Sequence, residues 1–176
     1  MPRSRSFTPE ERSTWVPLVA VLELLPKQLD AQLQADEALT HFDYFVLTML
    51  TLTEGHTRRM SALASASNST LPRLSHVVAR LEQRGYVQRQ TAPDDARATD
   101  VVLTNDGHRK VLYATPGHVE NVRRYVLDAL TPEQSAQLRE IAQAILRRLD
   151  PEAKMLATAA GDAVPGLRDA SRNHRP

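Results

Sequence analysis

Residues 70–84 constrain this chain most. Leu74, Val77, Val78 and Leu81 recur at i, i+3, i+4 and i+7, the spacing of an apolar stripe on one face of a helix. Arg73, Ser75, His76, Arg80 and Arg84 fall largely off that stripe. Ser69 or Thr70 can cap the start, and Pro72 is tolerated in the first turn, where its missing N–H would be unpaired anyway. Gly85 stands where a helix end takes a positive φ. Tyr86 to Thr91 then turns β-like, residues 93–97 (Pro-Asp-Asp-Ala-Arg) read as a turn, and residues 99–103 return as a second strand. The segment therefore predicts a helix followed by a hairpin. A short helix over residues 61–66 precedes it, joined by Ser67-Asn68-Ser69, as two helices of a helix-turn-helix would be.

The spacing of these residues carries a family likeness. The pattern Arg80-Leu81-Glu82-x-x-Gly85-x-Val87, then Asp95-x-Arg97, then Leu103-Thr104-x-x-Gly107 resembles the signature of the MarR family of winged helix-turn-helix transcription regulators. The flanking helices agree in number and length, so the resemblance extends over roughly residues 10–150. The stretches Thr40-His41-Phe42-Asp43-Tyr44-Phe45 and Ser75-His76-Val77-Val78 resemble an Arg-rich, actinobacterial-like branch. The resemblance implies a mainly α fold with a small β wing, a DNA-binding core and a two-fold dimer built from the terminal helices.

The flanks read as helices in their own right. Thr8-Pro9-Glu10-Glu11 is a start signal, with a second at Ser13-Thr14. Trp15, Leu18, Leu22, Leu25, Leu29 and Leu33 keep helical spacing to about Glu37, and Pro26 inside that run predicts a kink. Thr40-x-x-Asp43 resembles a capping box opening a second helix to about Leu52. Arg58-Arg59-Met60 reads as a short strand joining the wing. Thr104 can cap a long helix ending near Leu130, with a kink or break expected at Pro116-Gly117. Thr131-Pro132-Glu133-Gln134 opens a last helix through Leu138, Ile141, Ile145 and Leu149, stopped by Asp150-Pro151. The apolar faces of the first and the last two helices exceed what a small winged core can cover, which implies a partner surface, most simply an identical chain. The expected organisation is a disordered N-terminus at 1–7, the first dimerisation helix and an entry helix at 8–53, a winged helix-turn-helix lobe at 54–104, C-terminal dimerisation helices at 105–150 and a flexible tail at 151–176.

Composition excludes several functions. With no cysteine among 176 residues, disulfides, thiolate metal sites, cysteine nucleophiles and thiol-based sensing are all excluded. The sequence has no apolar run long enough for a membrane span, and its basic start lacks the apolar core of a secretory signal, so a cytoplasmic protein with no membrane partner is expected. It also lacks a Gly-rich phosphate loop, a nucleophile elbow and a helical metal motif, so neither an enzyme nor a cofactor is expected. His41, His108 and His118 could converge, but no pair has metal-site spacing, and no metal is expected. The net charge is only +1, yet residues 57–98 carry seven arginines against three acids, Glu82, Asp94 and Asp95. A local basic face suits phosphate, although arginine is abundant throughout this chain.

These readings converge on double-stranded DNA as partner. The N-terminal half of a recognition helix reads base edges in the major groove, which makes Pro72, Arg73, Ser75 and His76 the candidate readers. Ser69, Thr70, Arg58 and Arg89 join them as candidate DNA contacts, and Arg80 meets phosphate or pairs with an acid. The resemblance implies that Arg97 enters the minor groove with Asp95 orienting it, where a narrow groove concentrates negative potential. A dimer would present two such helices about one DNA turn apart, roughly 34 Å, on a pseudo-palindromic operator, and repression is the default outcome. The resemblance further implies a small aromatic or phenolic effector, for which Trp15, His41, Tyr44, His118 and Arg123 are the candidates. The alternative is a winged-helix module for protein–protein assembly, without operator binding.

Overall fold

The computed structural model describes residues 6–155. Helix α1 runs Pro9–Glu37 and α2 His41–Thr51; a 3-10 turn at Glu54–His56 leads into strand β1, Thr57–Arg59. Helices α3, Met60–Ala66, and α4, Leu71–Gln83, follow, then strands β2, Val87–Ala92, and β3, Asp95–Leu103. Helix α5 spans Asn105–Tyr125, a 3-10 turn covers Leu127–Ala129, and α6 spans Pro132–Leu149. The protein is thus mainly α with a three-stranded antiparallel sheet in the order β1-β3-β2. Among the described residues, no helix is long and apolar enough to cross a membrane.

Local capping chemistry sets most helix starts. The Thr8, Thr40 and Thr131 hydroxyls each accept from the amide three residues on, and Glu11, Asp43 and Gln134 reach back to the capping amides. Thr70, not Ser69, caps α4, accepting from the Arg73 amide at 3.4 Å. Thr104 caps α5 through the Gly107 amide at 3.0 Å. Gly85 follows α4 at φ 76°, as the sequence demands.

Two expected interruptions do not end a helix. Helix α1 is continuous through Pro17 and Pro26, and α5 through Pro116. All three prolines are solvent-exposed. The carbonyl four residues back, which each proline leaves without its amide, can therefore turn to solvent, so the loss is tolerated. Helix α5 stops at Tyr125 rather than near Leu130, and the intervening residues form the 3-10 turn. The wing turn is tighter than expected: β3 begins at Asp95, leaving Pro93 and Asp94 between the strands.

The core sits where α1, α2, α3, α4 and the base of the sheet meet. Leu33, Leu39, Val46, Leu47, Leu50, Leu63, Leu74, Val78, Leu81, Val87 and Val101 are fully buried there. The expected apolar stripe of α4 is buried in full. The wing enters the core at its base, and near its tip only Ala92 is buried. Val87 pairs with Leu103 and both are buried, whereas residues 88–91 and 95–97 are exposed. The two ends of the chain are different. No residue of α6 is buried, and α1 buries only Leu29 and Leu33. Leu22, Leu112, Ile141 and Leu149 all stay more than half exposed. At the N-terminus, where disorder is expected for residues 1–7, Phe7 lies 6.5 Å from the Trp15 ring. Residues 1–5 and 156–176, which include most of the expected flexible tail, lie outside the described residues. Of that tail, Lys154 and Met155 donate their amides to the Asp150 carboxylate.

A compact knot joins α4, β2 and α5. The Tyr86 carbonyl accepts from the Thr104 amide at 3.1 Å, and the Thr104 hydroxyl donates to the Gly85 carbonyl at 2.6 Å. Gly107 packs against this knot so closely that a Cβ there would lie 2.1 Å from the Tyr86 carbonyl oxygen. That oxygen is backbone and cannot rotate away. Gly107→Ala should therefore cost about 1–3 kcal/mol of stability. Equal urea midpoints for the two proteins would show that the knot opens freely.

Candidate nucleic-acid interface

The site is built around α4. With Leu74, Val77, Val78 and Leu81 turned inward, the first turns expose Leu71, Pro72, Arg73 and His76, while Ser75 is half-buried. Ser69 is half-buried in the preceding turn, its amide bonded to the Ala64 carbonyl at 2.9 Å. Leu71, three residues before Leu74 and seven before Val78, continues the apolar stripe into the first turn and is half-exposed there.

The arginines separate into two groups. Arg58 lies half-buried on β1, opposite Val101. Arg97 lies exposed near the wing tip. Neither has a side-chain partner among the described residues. The others are engaged. Arg80 meets the Asp43 carboxylate at 2.5 Å, so of its two expected roles it takes the acid pair. Arg89 clasps Glu82 through its amide and side chain at 2.8 Å, which holds the Glu82 carboxyl below its ordinary range. Arg84 donates to the Ala38 carbonyl at 2.7 Å and lies 4.9 Å from the centre of the Tyr86 ring. Arg73 lies over the Phe42 ring at 4.7 Å.

The wing tip differs in detail from expectation. The Asp95 carboxylate accepts from the Arg97 backbone amide at 2.9 Å, not from its guanidinium. It therefore shapes the turn that carries Arg97 and leaves the side chain free. Arg59 reaches across to Asp94 and lies 3.7 Å from Asp100, tying β1 to the wing.

Three of the five effector candidates come together where α1, α2 and α5 meet. The rings of His41 and His118 stack at 5.7 Å, and the Tyr44 ring lies 4.7 Å from that of His118. Tyr44 Oη shares a 3.0 Å hydrogen bond with Thr115 Oγ1, and the His41 amide donates to Asp30 at 2.8 Å. His118 Nδ1 and, on α1, Gln32 Oε1 are buried without hydrogen-bond partners among the described residues. Trp15 sits fifteen residues before Asp30 on α1, roughly 22 Å along the helix, and is not part of this cluster. Arg123 lines a separate shallow depression with Val119, Glu120 and Asp128. His108 faces His56 instead, at 5.6 Å, so the three histidines do not converge. Among the described residues, no group of three or more His, Asp or Glu could hold a metal ion.

Burial gives this junction a pH dependence. Both imidazoles are held below their ordinary value of 6.5, because burial removes water from each cation; Asp30 opposes this at His41, and His41 adds to it at His118. On acidification the unfolded chain thus takes up protons before the folded chain does. The junction's contribution is complete above pH 6.5 and is lost as the pH falls from there through the lowered folded values.

A model of the MarR family matches residues 39–99. The chain is similar to Sco3205, a MarR family transcriptional regulator from Streptomyces coelicolor crystallised in complex with DNA. It shares 38% identity and a TM-score of 0.81, over 86% of this chain and 94% of that one. It is also similar to AbsC, a MarR family regulator from the same organism, at 35% identity and a TM-score of 0.79, over 84% of this chain and 99% of that one. Among curated proteins it is 31% identical over 110 residues to the transcriptional repressor MprA of Escherichia coli K12. That match spans 61% of this chain and 60% of the relative's length.

Between about pH 7 and pH 5, the urea midpoint of the wild type should fall more steeply than that of a His41→Gln, His118→Gln double variant. Parallel profiles would assign the acid sensitivity to other groups.

Proposed function

The chain belongs to the MarR family, and from that premise we propose that it is a dimeric, sequence-specific DNA-binding regulator of the cytoplasm that represses transcription. The observation that carries this reading is the state of α4 and the wing. The inner face of α4 is wholly buried, its N-terminal turn is exposed, and Arg97, near the tip of the ribbon, has no side-chain partner among the described residues. In this reading Arg73 forks onto guanine from the major groove, with Pro72, Ser75 and His76 beside it. Ser69, Thr70 and Arg58 approach the backbone. Arg97 enters the minor groove from a turn shaped by Asp95. Arg80 and Arg89 support α4 through their acids and contribute field rather than direct contacts.

A second copy of the chain supplies what one copy lacks. Helix α6 buries nothing by itself, yet carries Leu138, Ile141, Ile145 and Leu149 on its surface. An amphipathic helix gains most of its stability from a packed face, so α1, α5 and α6 are read as the two-fold interface. A small aromatic or phenolic acid is the effector favoured by the junction of His41, Tyr44 and His118, because the buried His118 Nδ1 has no partner there among the described residues. Such a ligand releases DNA only by binding the free state more tightly than the DNA-bound state.

One titration series tests the reading. Duplexes selected from a random pool should bind the full-length protein as a dimer, with affinity falling steeply as salt rises. Arg97→Ala should weaken all sequences alike and reduce the salt slope by about one; Arg73→Ala should relax base preference at one position, by about 1–3 kcal/mol. Adding an aromatic acid should release the duplex. A monomeric protein, or binding indifferent to both substitutions, would sink the proposal in favour of a protein-assembly module.

A further inference from the structure

Arg73 and Arg80 on α4 and Arg84 at its C-cap stand at i, i+7 and i+11, and so share one stripe of that helix. All three reach the same place, the corner where α1 ends and α2 begins. Arg84 takes the Ala38 carbonyl, Arg80 takes the buried Asp43 carboxylate, and Arg73 takes the Phe42 ring. These contacts differ in kind. A carbonyl or carboxylate consumes N–H donors in the guanidinium plane, whereas a ring engages the guanidinium over the ring's face and leaves the planar fork of donors free. Along the stripe, then, two arginines have donors committed within the protein. The third, nearest the exposed N-terminal turn, keeps its donors; no acceptor among the described residues meets them.

We propose that Phe42 is a positioning residue for base recognition: its ring seats the Arg73 guanidinium and aims the donor fork outward from α4. The proposal rests on the DNA-binding reading above. A free arginine loses much rotamer freedom when it fixes a bidentate contact, and a seat occupied before binding removes part of that loss. Phe42 can do this without touching DNA, because it is half-buried on α2 against the core. Its neighbours on the same turn serve other contacts: Asp43 caps α2 and holds Arg80, and His41 and Tyr44 face α5.

The test uses the full-length protein and duplexes it selects from a random pool, with each base substituted in turn at the position that Arg73→Ala relaxes. Phe42→Leu should lose roughly two- to fivefold of the discrimination at that position, the range of an exposed cation–π contact, and leave the salt slope unchanged. Phe42→Tyr, which keeps the ring, should restore it. In an Arg73→Ala background, Phe42→Leu should change nothing further, since the two act through one contact. Undiminished discrimination in Phe42→Leu, or equal weakening on every sequence, would overturn the proposal. Independently of how any variant folds, the wild-type Arg73 Nε–Hε proton should show an upfield ring-current shift, and an unshifted resonance would remove the seat. If the wild type selects no sequence at all, the DNA-binding reading fails first and takes this one with it.

Discussion

The ion pair between Asp43 and Arg80 is the constraint on which the arrangement of this lobe depends. Asp43 is 1% exposed, and a carboxylate buried to that degree is costly unless every lone pair is answered. Here both oxygens are used. Oδ2 accepts from the Thr40 amide at 3.0 Å, closing the cap of α2, and Oδ1 accepts from Arg80 on α4. One side chain thus starts one helix and fixes the direction of another. Removing Arg80 would strand the buried Asp43 charge, so α4 has little freedom to turn about its axis. That restriction makes it meaningful to speak of which side chains α4 turns outward.

The same four residues of α2 meet two unlike surroundings. Phe42 and Asp43 hold arginines of α4, while His41 and Tyr44 pack with His118 and Thr115 of α5. Lys110 and Glu37, at 2.6 Å, tie α5 to the end of α1 just beside this turn. A change at the histidine junction is therefore separated from the recognition-helix arginines by a single helical turn. The junction is partly dry, with neutral imidazoles favoured, and holds polar atoms without partners. On the opposite side the buried charge, Asp43, is paired with Arg80.

The wing shows the converse design. Its base is locked by Val87, Leu103 and the knot around Gly85, Thr104 and Gly107, where backbone approaches backbone. Its outer half buries almost nothing and relies on strand pairing, the Asp95 turn and the reach of Arg59 to Asp94. A segment with so few packed contacts opens at low free energy. It can adapt to a ligand surface while its base keeps it in register with α4.

Sequence alone determined what local rules govern. The capping threonines, the apolar stripe of α4, the positive φ at Gly85, the hairpin and the family pattern from Arg80 to Gly107 are all set within a few residues of each other, and each was legible in order along the chain. At the prolines a local rule predicts a kink or a break, and whether the helix ends depends on whether the freed carbonyl meets solvent, which is a property of the surface. The partners of Arg73, Arg80 and Arg84 were likewise invisible. They lie 31, 37 and 46 residues away, and no spacing rule links an arginine to an acid, a ring or a carbonyl at such distances. Charge and periodicity told which side chains leave the core. Only the tertiary structure decided which of those remain free, because each engagement required two distant segments to be packed at a fixed angle first.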